Sequence, residues 1–171
     1  MDTLSHTLWG GGLFGFRGHM RLALLFGAMP DLVSFGLWLP ARLMENGIEP
    51  GKPALDTIPA WLFVSYDYSH SLLIACATIA LITLWRRDIA FAMLAWPCHI
   101  LLDVPFHSAD FFPTKILWPL SGWSFDGISW TNPWVWFANL AGLALLWTWR
   151  WRSRNNRTSR ERQATSQARK A

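Results

Sequence analysis

Apolar residues along the chain fall into four long blocks, separated by stretches rich in polar residues, proline and glycine. Each block has about the length that an α-helix needs to cross the ~30 Å hydrocarbon core of a bilayer. A fifth, shorter block over residues 4–16 contains three successive glycines, which favour a tilted or partial span packed closely against a neighbour. The pattern predicts an all-α integral membrane protein with a bundle of four to five transmembrane helices. The long blocks cover residues 22–39, 69–85, 89–106 and 133–149.

Basic residues between the blocks set the orientation of the predicted bundle. They occur after the short block over residues 4–16, between the long blocks over 69–85 and 89–106, and throughout the segment from residue 150. The positive-inside rule makes these three places cytoplasmic, so the N-terminus and the loops 40–68 and 107–132 lie outside. Tryptophans cluster near both predicted boundaries, as in the aromatic belt of membrane proteins. We expect a multi-pass protein that contacts membrane lipids.

Composition and charge divide the chain into two regions. The chain is 52% hydrophobic and only 15% charged, which is too apolar for an ordinary soluble domain. Residues 1–149 carry 7 basic and 10 acidic side chains, whereas residues 150–171 carry 8 basic and 1 acidic. The first region is predicted to be a membrane-embedded helical domain, and the second a basic, disordered cytoplasmic tail. Attraction to anionic lipids explains the tail, and nucleic acid binding is disfavoured because no recognisable fold accompanies the charge.

The third long apolar block ends in three ionisable residues spaced four apart. His99, Asp103 and His107 would share one face of a helix, although Pro105 disfavours helix before His107 and leaves the first two as the firmer pair. Ionisable groups among apolar residues are costly unless they pair, bind a metal or line a wet cavity. The alternative is a hydrogen-bonded core histidine and an aspartate that begins a turn.

Other ionisable residues fall toward the outer side of the predicted bundle. His6 lies near the start of the short block over residues 4–16. His70 lies at the start of the block over 69–85, and Asp67 is close enough in sequence to orient its imidazole. Asp31 follows Pro30, which is predicted to break the second span. Ordinary alternatives are a helix-capping role for Asp31 and an interfacial position for His70. His19 is interpreted as a cytoplasmic loop residue.

The predicted topology brings these side chains to one end of the bundle. Imidazoles and carboxylates without thiolates form a nitrogen and oxygen donor set that suits Zn²⁺, with Mn²⁺ or Fe²⁺ as alternatives. His107 and Asp67 are candidate catalytic groups, which would move protons or orient ligands. The predicted metal ligands are His6, Asp31, His70, His99 and Asp103.

The order of these motifs resembles the YdjM-like family of inner-membrane proteins, described as membrane-bound metal-dependent hydrolases. Many members carry His-Arg-Gly before a Thr-His-Ser element, whereas this chain has Tyr-Asp-Tyr before Ser69. The resemblance implies a bacterial inner membrane and hydrolytic activity. The matching pieces are His6, Met29-Pro30-Asp31, Ser69-His70-Ser71-Leu72-Leu73, His99-Ile-Leu-Leu-Asp103 and Leu117-Trp118-Pro119.

These observations favour a membrane-bound hydrolase that cleaves an ester or phosphoester with a metal-activated water. An amphiphilic or lipid-derived substrate could enter from the outer leaflet. One alternative is a transporter or metal-handling protein, although the apolar inner halves of the blocks, such as residues 74–84 and 140–146, disfavour an ion pathway. Another is a noncatalytic membrane scaffold with an interaction tail.

Overall fold

The protein is built from helices. A computed structural model describes residues 1–47 and 52–168, and within these ranges it contains helices and loops but no strand. The predicted all-α fold is therefore confirmed. Two 3-10 turns, Leu55–Thr57 and Val104–Phe106, lie between the longer elements. The α-helices of this part of the chain are α1 (Thr3–Phe14), α2 (Met20–Phe35), α3 (Trp38–Asn46), α4 (Ala60–Ser69), α5 (Leu72–Thr83), α6 (Arg87–Met93), α7 (Ala95–Asp103) and α8 (Pro133–Ala168).

Few of these helices could cross a membrane. Among the described residues, one stretch is long and apolar enough, the 20 residues Arg87–Phe106 that comprise α6, α7 and the following 3-10 turn. α2 and α3 would add a second span if they are counted together, although they are bent by 51°. Four to five spans are not supported, because α1 and α5 have 12 residues each, too few for a bilayer. The block over 133–149 is rich in tryptophan, which prefers the membrane interface.

Two glycines let α1 and α2 pack backbone against backbone. A Cβ atom added to Gly27 would lie 2.6 Å from the carbonyl oxygen of His6. A Cβ atom on Gly10 would lie 2.8 Å from the carbonyl oxygen of Ala23. Any larger residue would force the helices apart, so the glycine-mediated packing predicted for the first block is confirmed at Gly10. The contact places His6 beside the middle of α2.

Pro30 lies inside α2 and does not break it. The helix continues to Phe35, so the predicted break is wrong, and the bend comes instead between α2 and α3. Proline removes one backbone donor from the helix. Pro30 is fully buried, so packing holds the helix together at this position. Asp31 therefore projects from a continuous helix.

A sharp corner between α4 and α5 holds His70. Ser71 caps α5, since its hydroxyl accepts a 3.2 Å hydrogen bond from the Ile74 N–H. The same hydroxyl donates to the Trp118 carbonyl at 2.6 Å. The Leu72 N–H donates to the Ile116 carbonyl at 2.9 Å. These bonds tie the corner to the loop that follows α7.

α8 packs along α1 and extends well past it. The structure describes helix to Ala168, which differs from the disordered tail predicted over 150–171; residues 169–171 lie outside the described range. Arg150 is 4% exposed and donates to the carbonyl oxygens of Gly12 at 2.8 Å and Gly15 at 2.6 Å. The tail segment is rich in arginine, glutamine and alanine, which are good helix formers. Arg150 thus belongs to the folded body.

Candidate metal centre

Four of the five histidines of the chain gather with two aspartates in one place, here called the His/Asp cluster. The fifth, His19, immediately precedes α2 and lies about three turns from Asp31 along that helix. All six clustered residues are buried or nearly so, and they come from four separate parts of the chain. They are His6 on α1, Asp31 on α2, His70 at the α4–α5 corner, His99 and Asp103 on α7, and His107 after the second 3-10 turn.

α7 and the turn after it supply half of the cluster. His99 and Asp103 are one helical turn apart, and the Nε2 atom of His99 lies 3.2 Å from Oδ2 of Asp103. Pro105 ends the α-helix, as the sequence predicted, but the 3-10 turn keeps His107 on the same side. Its N–H donates to the Asp103 carbonyl at 2.9 Å, and its Nε2 atom lies 3.3 Å from Oδ1 of Asp103.

Backbone carbonyls fix the tautomers of the two central histidines. Nδ1 of His99 lies 2.7 Å from the Gly27 carbonyl oxygen, and Nδ1 of His70 lies 3.1 Å from the Tyr66 carbonyl oxygen. A carbonyl only accepts hydrogen bonds, so each Nδ1 atom carries the proton. Each Nε2 atom therefore presents a lone pair to the cluster, which is the usual arrangement of metal-binding histidines.

The lone pairs of these two imidazoles point at each other and at carboxylate oxygens. The Nε2 atoms of His70 and His99 are 3.2 Å apart. Oδ1 of Asp31 lies 3.5 Å from the first of these and 3.7 Å from the second, and Oδ2 of Asp103 lies 3.7 Å from Nε2 of His70. Ligands about 2.0–2.1 Å from a Zn²⁺ ion form a tetrahedron with edges of roughly 3.3–3.4 Å. The spacing of the four atoms fits such an ion.

Two buried atoms of the cluster have no hydrogen-bond partner among the described residues. They are Oδ2 of Asp103 and Nδ1 of His6. Burying a polar atom without a partner is costly, and acceptors that face one another repel. A cation bound in the cluster would give the Asp103 oxygen a partner. His70, His99 and Asp103 form one group of possible ligand atoms within 4.8 Å of one another, and His6, Asp31 and His99 form another.

His6 completes the set of predicted ligands. Its Nε2 atom lies 2.9 Å from Oδ1 of Asp103, and its ring stacks on that of His99 with 3.6 Å between centroids. The structure thus brings together all five side chains for which the sequence predicted metal binding. The residues present fit a divalent cation, and buried His/Asp groups of this chain could hold one.

Asp67 does not have the role that its position in the sequence suggested. Its carboxylate accepts a 2.8 Å hydrogen bond from Lys115, so the predicted contact with His70 is wrong. Nδ1 of His70 is already engaged by the Tyr66 carbonyl and, at 3.0 Å, by the Ser69 hydroxyl. The turn at the end of α4 puts a carbonyl and a hydroxyl at this nitrogen before the carboxylate can reach it.

Tyr66 is a neighbour of the cluster that the sequence interpretation missed. Its ring stacks on His70 with 3.8 Å between centroids, and its hydroxyl lies 3.2 Å from both Nδ1 of His107 and Oγ1 of Thr114. Complete burial raises the pKa of Tyr66 well above its usual value, so the phenol keeps its proton. The i, i+4 spacing of Tyr66 and His70 is the signal that could have identified it.

A cavity of about 310 Å³ opens beside the cluster. Asp31 and His107 line it together with several aromatic side chains, and Lys52 and Ser108 lie among the polar residues of its wall. Its size falls in the range of small-molecule sites. The aromatic residues are Phe35, Phe106, Phe111, Phe112 and Trp130.

Fold and site together define an all-α protein with a buried His/Asp cluster at the base of a largely apolar cavity. Comparisons with protein families, curated proteins and solved structures found no match for this chain.

Proposed function

We propose that the protein is a membrane-bound, metal-dependent hydrolase with a divalent ion, Zn²⁺ in the first instance, held by Asp31, His70, His99 and Asp103. The observation that carries this proposal is that Nε2 of His70 and Nε2 of His99 lie 3.2–3.7 Å from each other and from one carboxylate oxygen each of Asp31 and Asp103. A buried structural network would pair acceptors with donors. His6 is a fifth possible ligand, and its Nε2 atom contacts Oδ1, the other carboxylate oxygen of Asp103.

A divalent ion in such a site activates a water molecule and polarises an ester or phosphoester oxygen. The chain contributes the arrangement. The Gly27 and Tyr66 carbonyls orient two imidazoles so that their Nε2 atoms face the cluster, and the two carboxylates would offset the charge of a cation in an apolar interior. No other residue needs to move for the four atoms to converge.

His107 is the candidate for proton transfer. Its side chain is 13% exposed and lines the cavity, and its Nδ1 atom is held by the Phe112 carbonyl at 3.0 Å. Its Nε2 atom lies 3.3 Å from Oδ1 of Asp103 and 3.5 Å from the Met1 amino group, and it presents the lone pair that would accept a proton beside the cavity. Asp67 contributes indirectly in this proposal, because its bond to Lys115 holds the loop that contacts the α4–α5 corner.

The apolar surface supports a membrane location. Beyond the candidate span Arg87–Phe106, α8 carries large exposed apolar side chains, among them Trp134 at 83% and Leu145 at 73%. In this proposal the protein lies in a bacterial inner membrane, as the resemblance to the YdjM-like family implies. Its site opens toward the outer face, where an amphiphilic substrate enters the aromatic cavity.

The test begins with metal content. Detergent-purified wild-type protein, His99→Gln and Asp103→Asn would be compared by inductively coupled plasma mass spectrometry, with His19→Gln and the exposed Asp88→Asn as matched controls. We expect stoichiometric metal in wild type and both controls, and none in the two cluster variants. Hydrolysis of p-nitrophenyl butyrate and bis-p-nitrophenyl phosphate would be measured on the same samples.

Failure of the wild type to bind Zn²⁺, Mn²⁺ or Fe²⁺ above the level of the cluster variants would overturn the hydrolase proposal. A noncatalytic scaffold would then be the better interpretation. Stoichiometric metal without hydrolysis of either ester would instead favour a metal-handling protein.

A further inference from the structure

The two carboxylate oxygens of Asp103 contact different histidines. Oδ2 lies 3.2 Å from Nε2 of His99 and belongs to the four-atom site described above. Oδ1 lies 2.9 Å from Nε2 of His6 and 3.3 Å from Nε2 of His107. Asp103 is 1% exposed, so neither oxygen has bulk water as a partner. The carboxylate therefore lies between two sets of imidazole nitrogens.

His107 presents a lone pair to Oδ1. Its Nδ1 atom is 3.0 Å from the Phe112 carbonyl, which can only accept, so the proton is on Nδ1. The Tyr66 hydroxyl, 3.2 Å from the same nitrogen, can accept from it while donating to Thr114. Nε2 of His107 and Oδ1 of Asp103 are thus two acceptors that face each other across 3.3 Å.

A positive charge already lies beside these acceptors. The Met1 amino group contacts Oδ1 of Asp103 and lies 3.5 Å from Nε2 of His107. An ammonium group and a divalent ion are attracted by the same combination of a carboxylate oxygen and imidazole lone pairs. The surroundings of Oδ1 therefore attract a cation, and a divalent ion at this position would take the place of the Met1 amino group.

We propose that the His/Asp cluster holds two divalent ions bridged by Asp103. One ion has Asp31, His70 and His99 as its other ligands. The second has His6 and His107, so that His107 serves as a ligand here in place of the proton-transfer role considered above. This proposal rests on the proposed hydrolase function and narrows its substrate class. Pairs of metal ions serve phosphoester hydrolysis, because together they stabilise the attacking and leaving oxygens of an in-line displacement.

The cavity is consistent with this substrate class. Asp31 and His107, which belong to different ion positions, both line it. A phosphoester at the base of the cavity would therefore meet both positions at once. The aromatic walls would hold an apolar group on the other side of the ester, so the substrate is a phosphoester with an apolar substituent.

The experiment counts ions and tests whether they are coupled. Full-length protein in detergent would be loaded with Mn²⁺, freed of excess metal, and examined by mass spectrometry and by electron paramagnetic resonance. We expect two Mn²⁺ per chain with a spin-coupled signal in wild type and His19→Gln. His107→Gln and His6→Gln should each retain one ion with an uncoupled signal. Helical circular dichroism and a single gel-filtration peak would verify that the variants fold.

Each outcome of the count has a definite meaning. One uncoupled ion in wild type, unchanged in His107→Gln, would overturn the second position and leave the proposed hydrolase standing. No bound ion would overturn both proposals. On the same samples, bis-p-nitrophenyl phosphate should be hydrolysed at least about tenfold faster than p-nitrophenyl butyrate, and the opposite preference would overturn the phosphoester assignment.

Discussion

Two buried polar clusters meet on neighbouring residues of α1, and they differ in how donors and acceptors are matched. His6 belongs to the His/Asp cluster, whereas Ser5 belongs to a network with Asp2, Trp9 and Asn139, here called the Asn139 network. His6 is 1% exposed, Ser5 4% and Asn139 8%, so burial does not distinguish the two. The difference lies in what each polar atom contacts.

Every contact in the Asn139 network joins a donor to an acceptor. Trp9 Nε1 donates to Oδ1 of Asn139 at 2.8 Å, and Nδ2 of Asn139 donates to the Ser5 hydroxyl at 2.7 Å. That hydroxyl donates to Asp2 at 2.6 Å. The network joins α8 to α1 and is complete. The His/Asp cluster instead leaves Oδ2 of Asp103 and Nδ1 of His6 without a hydrogen-bond partner among the described residues. The Asn139 network is therefore complete by itself, whereas the His/Asp cluster could hold a metal ion.

The largest effect should come from Asp103→Asn. The amide keeps the shape of the side chain but removes the charge that both ion positions share, so we expect loss of all bound metal and of hydrolysis. Wild-type protein should also lose its metal-dependent stabilisation when a chelator is added, about 2.7 kcal/mol for an ion present at 100 times its dissociation constant. Thermal unfolding with and without chelator would measure this difference.

In Asp103→Asn, the unfolding midpoint should not respond to the chelator at all. A response equal to that of the wild type would show that the stabilising metal binds elsewhere, and the contrast between the two clusters would then be wrong. Asp88→Asn is the control, because Asp88 is exposed and pairs with Arg86.

The next largest effect is expected for Gly27→Ala. The new Cβ would lie 2.6 Å from the His6 carbonyl oxygen, so α1 must move away from α2. This displaces His6, and it also disturbs the Gly27 carbonyl that orients His99. Overpacking of this kind costs about 1–3 kcal/mol. We expect weaker metal binding as well as a lower unfolding midpoint.

A second glycine serves as the control, because it shows what a glycine-to-alanine substitution does where there is no close helix contact. Gly122 has no atom within 4 Å of an added Cβ, so Gly122→Ala should leave both metal affinity and stability unchanged. Metal affinity measured by competition with a chelating dye would complete the comparison. Unchanged affinity in Gly27→Ala would show that the close helix contact does not position the site.

Asn139→Ala tests the opposite cluster. It leaves the indole N–H of Trp9 without its acceptor, and one unsatisfied group of this kind costs about 1–3 kcal/mol, while the Ser5 hydroxyl keeps its hydrogen bond to Asp2. The unfolding midpoint should fall while the number of bound ions stays the same. Thr131→Ala, at an exposed hydrogen bond, should change stability by no more than about 0.5 kcal/mol. Loss of metal in Asn139→Ala would mean that the two clusters act as one.

The sequence predicted the members of the His/Asp cluster better than it predicted the helices that carry them. The signals for these residues are local: their type, their apolar neighbours and the i, i+4 spacing of His99 and Asp103. In a helix, residues at this spacing lie next to each other. Four to five spans are not supported, because the length of an apolar block does not reveal where a helix ends. The corner at His70 and the 12 residues of α5 depend on hydrogen bonds to the distant Ile116 and Trp118 carbonyls.

The partners of the cluster were harder to predict than its members. Asp67 was expected to orient His70, but a carbonyl one turn back does so, and any residue type provides a carbonyl. The same holds for the Gly27 carbonyl at His99, which depends on the packing of α7 against α2. Pro30 was expected to break its helix, yet α2 continues through it to Phe35, and Pro30 is fully buried. These outcomes depend on tertiary contacts that spacing does not encode.

The smallest effect is expected for Tyr66→Phe, which tests where the His/Asp cluster ends. The hydroxyl contacts Nδ1 of His107, but the Phe112 carbonyl also holds that nitrogen, so the imidazole should keep its orientation. Loss of one such hydrogen bond costs about 0.5–1.5 kcal/mol. We expect a modest fall in the unfolding midpoint, an unchanged ion count, and phosphoester hydrolysis reduced by a few fold because His107 is held less firmly.

The other tyrosine of the chain is the natural control for this variant. Tyr68 is 51% exposed, so Tyr68→Phe should match the wild type in stability, ion count and rate. If Tyr66→Phe instead loses one ion, the orientation of His107 depends on the phenol rather than on the Phe112 carbonyl. Tyr66 would then have to be counted among the residues that form the second ion position, because its neutral hydroxyl would determine whether the second ion binds.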